Sequence, residues 1–446
     1  LFFWDIKLFA NYGFRELIIL SSFIIFYKLY KNNFLFFKNE KKIIIKISII
    51  LFLLLLHLII NAYIDKTFLF KNVILGFFGI SFLFIFVLYF YDFIKNNLEK
   101  IIIFFIISYF CSLIFSDFGA TTEWEKTFLG RCAFAYKISN NLIFQENSHL
   151  GMIFPACLAF LLSASKNIKM RLLYSIIFIM LLIFQTSITL TAGLIVFSAV
   201  ILIFDKSKFI YPVIILFFMA SIFYYGSIFP QERGNNCAER ISQTNVAVVE
   251  NLRLNIEKNE IDNYFNEKIK IPNKKIFTEI LYKKDKKVFK NYLSKEKSFE
   301  DLPTRRYENY FNLSTAVLLN SLNISLDTLK NRPLGWGLNR YETAFDYYMF
   351  NLIIIPPWYH EVYTLNYNDG SSNFTKSFTE FGFLTFIFLI PLFYFIFSKR
   401  VKNKEKIFFL TLIITQILRG AGYFNGGFAL SIIFIIITFL KKYDEH

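Results

Sequence analysis

The sequence predicts an all-α polytopic membrane protein of about 11 to 12 transmembrane helices with one large, mainly helical loop outside the membrane. Three observations carry that prediction. The chain is 55% hydrophobic and 20% aromatic, well beyond the usual range of soluble domains. Its apolar residues fall in runs long enough to cross a hydrocarbon core of about 30 Å. Its lysines and arginines gather in short clusters beside those runs, where membrane topology places them.

Taken in order, the runs are 14–30, 43–63, 73–92, 101–116, 150–165, 172–185, 191–204, 209–228, 377–397, 407–418 and 427–440. The apolar stretch from 172 to 204 is too long for one helix, so it folds back at Gln185-Thr186-Ser187 into two short tilted ones. One set of connections carries Lys28, Lys31, Lys38, Lys41, Lys42 and Lys46, then Lys95 and Lys100, Lys166, Lys169 and Arg171, and Lys206 and Lys208. It continues with Lys399, Arg400, Lys402, Lys404 and Lys406, and with Lys441 and Lys442. These far outnumber the cations of the opposite short connections, so they mark the cytoplasmic side and place the N-terminus outside. The chain begins at Leu1 rather than Met, and a helix before it would bring the count to twelve with both termini inside.

Three regions follow: an N-terminal helix block, 1–228, with an outer loop 117–149; a large outer loop, 229–374; and a C-terminal helix block, 375–446. The formal charge of +16 is explained by topology rather than by a nucleic-acid partner, because the cations do not line one exposed face. Of the four cysteines, Cys111 and Cys157 fall in apolar runs, whereas Cys132 and Cys237 share the outer side, which leaves a disulfide between them open. No nucleotide loop, metal-ligand spacing or Ser/His/Asp pattern appears, so neither a metal nor another cofactor is expected.

Within the large loop, residues 250–300 are rich in Lys, Asn and Glu and read as solvated surface. From Arg305 the pattern tightens. Tyr307, Tyr310, Phe311, Ser314, Val317, Leu318, Ser321, Leu322, Ser325, Leu326 and Leu329 recur at intervals of three and four, the spacing of an amphipathic helix that ends at Asn331-Arg332-Pro333. Gly335 and Gly337 then permit a tight turn and a close backbone approach to a ligand.

The residues that could carry chemistry lie on the outer side. Arg131 follows Gly130 in the first outer loop, and Glu146-Asn147-Ser148-His149 closes that loop. An arginine beside a helix end often snorkels to the interface, but Arg also suits phosphate because its planar fork makes two parallel bonds. On that reading Arg131 faces a phosphate, and Glu146 and His149 line a cavity. Arg305, Arg306, Arg332 and Arg340 bracket the amphipathic helix and the glycine turn, as an anionic head group would require. Arg419, in a short turn between apolar runs, is costly unless paired. His360, in Pro356-Pro357-Trp358-Tyr359-His360-Glu361, is a candidate base for a hydroxyl, with Glu361 and Asp369 able to take that role if burial raises their pKa. His57, inside an apolar run, and His446 are set aside.

These segments together resemble bacterial O-antigen polymerases. Gly130-Arg131 with Phe144-Gln145-Glu146-Asn147-Ser148-His149-Leu150-Gly151 is similar to that family's first outer-loop signature. Arg306, the helix and Asn331-Arg332-Pro333-Leu334-Gly335-Trp336-Gly337-Leu338 resemble its central loop. Gly370-Ser371-Ser372-Asn373 with Phe378-Thr379-Glu380-Phe381-Gly382-Phe383 resembles the segment leading into its next membrane helix. The chain departs from the family at Ser372, where a His precedes Asn, and at Asn147, where Pro is common. An arginine often found after the mid-chain hairpin is absent from Thr186 to Gly193.

The resemblance implies a GT-C-like architecture in the bacterial inner membrane, with the large loop periplasmic. It implies polymerisation of undecaprenyl-pyrophosphate-linked oligosaccharides, as in O-antigen and lipopolysaccharide biosynthesis, and a chain-length regulator and a flippase as partners. Arg131 and Arg306 would hold the pyrophosphate, supported by Arg332, Arg340 and Arg419, with His360 or Glu146 near the acceptor. Two alternatives stay open: the sister O-antigen ligase, which moves polymer onto lipid A core, and a lipid-linked sugar transporter with no enzymatic step.

Overall fold

Helices follow the apolar runs because a chain in hydrocarbon must satisfy its backbone polar groups within each segment. The computed structural model describes residues 23, 25–31, 35–36, 40–65, 70–117, 125–126, 136–137, 147–184, 188–218, 313–348, 370–420, 422–423 and 427–442. Among them the regular structure is helical apart from one two-residue antiparallel ladder, β1 (Glu125–Lys126) with β2 (Tyr136–Lys137).

The first block holds α1 (Lys41–Asp65), α2 (Phe70–Asp117), α3 (Asn147–Ala164), α4 (Ile168–Phe184) and α5 (Ile188–Phe204). The expected pair of short helices across 172–204 is present as α4 and α5, of 17 residues each. The second block holds α6 (Leu313–Asn331), α7 (Tyr341–Tyr348), α8 (Asn373–Phe381), a 3-10 stretch (Gly382–Phe388), α9 (Leu389–Phe397), α10 (Asn403–Leu418) and α11 (Phe428–Lys442). Among the described residues, three stretches are long and apolar enough to cross a membrane: Lys41–Ile64, Gly76–Cys111 and Asn373–Phe397. Their surfaces agree with that. On α1, Ile49, Phe52, Leu53, Leu56, Ile59, Ile60 and Tyr63 are exposed while Ile43, Ile47 and Leu58 are buried. Such an apolar belt is unfavourable in water and at ease in hydrocarbon.

α3 is the hub. Its residues from Leu150 to Leu162 are buried on every side, as expected of a helix written apolar all round. Gly151 lies against the Leu190 backbone and Gly193 against Pro155, so small residues let α3 and α5 approach closely. α10 closes the other side, with Phe408 edge-on to Phe160, and α11 stacks Phe434 on both Phe409 and Tyr91.

Two elements differ from the sequence expectation. Runs 73–92 and 101–116 are joined by helix rather than by a loop at Lys95–Lys100: α2 is continuous over 48 residues, about 72 Å of helix. Nothing from Phe90 to Phe104 is Gly or Pro, so no residue there obliges the helix to end. The middle of α2 carries charge pairs, Asp92 with Lys441 and Glu99 with Lys404. Its flanks meet the other end of the bundle, with Gly76 beside Asn339 and Tyr109 on Phe154. The run 377–397, in contrast, is not one helix. It starts earlier, at Asn373, and is broken at Gly382, which stands at φ 55°.

Candidate functional site

The site forms where the turn Pro333–Arg340 locks onto the broken helix. α8 ends at Phe381, leaving its last carbonyls without helical partners. The Trp336 N–H donates to the Thr379 carbonyl at 3.0 Å and the Gly337 N–H to the Glu380 carbonyl at 2.7 Å, while the Phe383 N–H donates to the Pro333 carbonyl at 2.8 Å. Backbones this close leave no room for side chains. A Cβ on Gly335 would lie 2.5 Å from the Glu380 carbonyl carbon, and one on Gly382 would strike the Pro333 oxygen. The expected close approach of the glycine turn is therefore to another part of the chain rather than to a ligand.

Glu380, fully buried, is the centre. Its carboxylate accepts the Asn339 N–H at 2.8 Å on one oxygen and the Tyr341 N–H at 3.3 Å on the other. It thereby caps the N-terminus of α7, where the helix dipole favours an anion. Lys376, one turn earlier on α8 and also buried, brings its ammonium to 3.6 Å from the same carboxylate. It also lies 5.2 Å from the centre of the Tyr423 ring. The Tyr423 hydroxyl faces Glu380 without good hydrogen-bond geometry, and burial together with that carboxylate pushes its pKa well up. Burial likewise raises Tyr341, against the Ser321 hydroxyl bond that lowers it. Both phenols thus stay protonated at working pH and can donate but not act as bases.

The surrounding residues fix this centre. Ser372 caps α8, its hydroxyl accepting the Phe374 and Thr375 N–H groups at 3.1 and 3.3 Å and donating to the Ile417 carbonyl at 2.8 Å. The residue standing where the resemblance expects His is here a helix cap tied to the end of α10. The Thr375 hydroxyl donates to the Gly370 carbonyl at 2.7 Å and accepts from Ser321 of α6 at 2.9 Å. Gly420 bonds the Ser371 carbonyl, and a Cβ there would meet the Asn373 amide at 2.5 Å. On the other flank, His57 shares a 2.8 Å hydrogen bond with the Leu334 carbonyl and stacks on Phe381.

Three expected site residues fall within this arrangement. Arg332 lies half-buried over the Trp336 ring, 3.8 Å from its centre. Arg340 is buried, its side chain passing the backbone of Gly337. Arg419 closes α10 and is adjacent to Gly420, which touches Asn373. His149 falls in the first turn of α3. Arg131, Glu146, Arg305, Arg306, His360, Asp369, Cys132 and Cys237 lie outside the described residues, as do residues 250–300.

Sequence reasoning did not select Lys376, Glu380, Tyr341, Tyr423 or His57. A signal existed for the first pair: a carboxylate within an apolar run is costly, so a cation one helical turn away is its expected partner. Among the described residues no three of His, Cys, Asp and Glu gather as metal ligands. The backbone donors and the Lys376 ammonium here already hold one anion, the Glu380 carboxylate. No protein family, curated protein or solved structure matches the chain.

Proposed function

We propose that this protein is a lipid-linked oligosaccharide glycosyltransferase of the O-antigen polymerase type. On this reading it sits in the bacterial inner membrane, crossing it about 11 to 12 times, with residues 229–374 largely periplasmic. An acceptor sugar hydroxyl attacks the anomeric carbon of an undecaprenyl-pyrophosphate-linked glycan. The new glycosidic bond forms as the bond to the pyrophosphate oxygen breaks; that oxygen keeps the electron pair, and the hydroxyl proton passes to a base, His360, Glu146 or Asp369. Arginines preorganised near the departing group stabilise its growing charge. Arg131, Arg306, Arg332, Arg340 and Arg419 are the set assigned to that task, and His149 belongs to the cavity wall.

One observation supports this reading above the others. Asn331–Leu338 and Gly370–Phe383, two of the segments that carry the resemblance, are far apart in the chain yet interlock backbone to backbone around Glu380, with Arg332 and Arg340 on the turn. Disruption of the gene tests it in the cell. A polymerase mutant leaves single repeat units on the lipid core, a ligase mutant leaves bare core with polymer stranded on its carrier, and a flippase mutant accumulates units inside.

A second reading, a lipid-linked sugar transporter, is favoured by the break at Gly382 within a candidate span and by the buried Lys376–Glu380 pair beside it. Broken helices with buried charge recur at transporter binding sites. Vesicles separate the two: a transporter moves the lipid-linked unit across the bilayer and never lengthens it.

A further inference from the structure

The described part of the large outer loop is built inside out. On α6 the buried positions are Asn320, Ser321, Ser325 and Thr328 along with Val317 and Ile324, whereas Leu322 is 37% and Leu326 54% exposed. A helix of a water-soluble domain shows the reverse, leucines inward and small polar residues outward. The expected single apolar stripe thus separates into a polar face turned to α8, where Ser321 bonds Thr375, and a leucine face turned away.

The turn that follows lies within the outer ends of its neighbouring spans, with Asn339 beside Gly76, the first residue of the span Gly76–Cys111. Pro333 bonds Phe383, which stands ten residues into the span Asn373–Phe397, about 15 Å along a helix. Leu334 bonds His57, and Gly337 lies against Leu58 and Asn61, all within the span Lys41–Ile64. Beside this turn the surface stays apolar: Leu334, Phe383 and Phe386 are each about half exposed and continue the exposed belts of α1 and α9.

We propose that residues 313–348 form a re-entrant element that dips into the leaflet from which it enters. Leu322, Leu326 and Leu334 lie against lipid acyl chains, and the turn Gly335–Arg340 is buried at the tip. Irregular backbone is tolerated at such depth only where protein satisfies it. That condition is met, because the turn's N–H groups bond Thr379, Glu380 and the Glu380 carboxylate. Lipid is the cover argued for this face because Leu334, on the same row, bonds His57 of α1, whose exposed apolar belt is itself lipid-facing.

The experiment uses the full chain in phosphatidylethanolamine–phosphatidylglycerol vesicles, with its four cysteines replaced by serine. Single Leu322→Cys, Leu326→Cys and Leu334→Cys variants are spin-labelled, and their collision rates with oxygen and with a water-soluble nickel chelate are compared. The labels are expected to favour oxygen several-fold, as a Leu53→Cys label on α1 does, while a Lys166→Cys label in the exposed connection between α3 and α4 favours nickel. Nickel dominating at 322, 326 and 334 overturns the proposal by placing the face in water. Shielding from both reagents overturns it by placing the face against protein. The readout needs no activity, so it stands or falls apart from the glycosyltransferase reading.

Discussion

At the scale of residues, the decisive group is the Glu380 carboxylate, which is engaged on both oxygens and paired with Lys376. It organises the site rather than reacting in it. Removing one partner of a buried pair strands the other charge, which costs about 3 to 5 kcal/mol. Glu380→Gln is therefore expected to lower thermal stability strongly in detergent, and Lys376→Met alone to do nearly as much. The double variant Glu380→Gln with Lys376→Met carries no stranded charge and should lose less than the sum of the two single changes. Additive losses in that cycle would show that the pair is not coupled. The same scale gives Ser372, which stands where the resembled family has His, a structural part. Its hydroxyl is occupied as the cap of α8 and as a donor to Ile417, a role that a sequence pattern shares with catalysis.

At the scale of elements, the broken span and the unbroken α2 have one logic in opposite directions. Gly382 interrupts α8 because another backbone segment needs its space, while α2 continues through Lys95–Lys100 because nothing there stops a helix. The junction between α3, α5 and the 3-10 turn Lys206–Lys208 is pinned by Asp205, whose carboxylate meets Lys208 at 2.9 Å and accepts from the hydroxyls of Ser207 at 2.8 Å and of Ser163 at 3.4 Å. Burial works against that charge, but the Lys208 and Ser207 bonds outweigh it and hold the pKa below the ordinary value. A depressed carboxyl contributes stability above its unfolded pKa of about 4 and loses it as pH falls through the folded value. Asp205→Asn is accordingly expected to melt earlier than the parent at pH 7, with the gap closing below about pH 4. A gap that stays constant with pH would remove the ion pair from the account.

At the scale of the whole molecule, helix positions were largely legible because apolar run length and a membrane's thickness constrain each other. α1, α3, α10 and α11 begin and end within a few residues of their expected runs. What was not legible was the pairing of distant segments. Nothing in the local pattern around Gly335 says that its neighbour is Glu380, and periodicity merged the two faces of α6 because serine and leucine recur there at the same spacing. Arg332 and Arg340 were found by charge, whereas Tyr341 and Tyr423 emerge only when the chain is folded around Glu380. The polymerase reading predicts that Arg306→Ala abolishes activity at an unchanged protein level, and near-normal activity there would sink the central-loop assignment. His360→Ala separates the base: retained turnover moves that role to Glu146 or Asp369. The most direct test is reconstitution of the purified protein with a purified undecaprenyl-pyrophosphate-linked repeat unit, in chelator and without nucleotide. The account predicts a ladder of extended chains with release of undecaprenyl pyrophosphate; a correctly folded protein that leaves every unit at its starting length would contradict it.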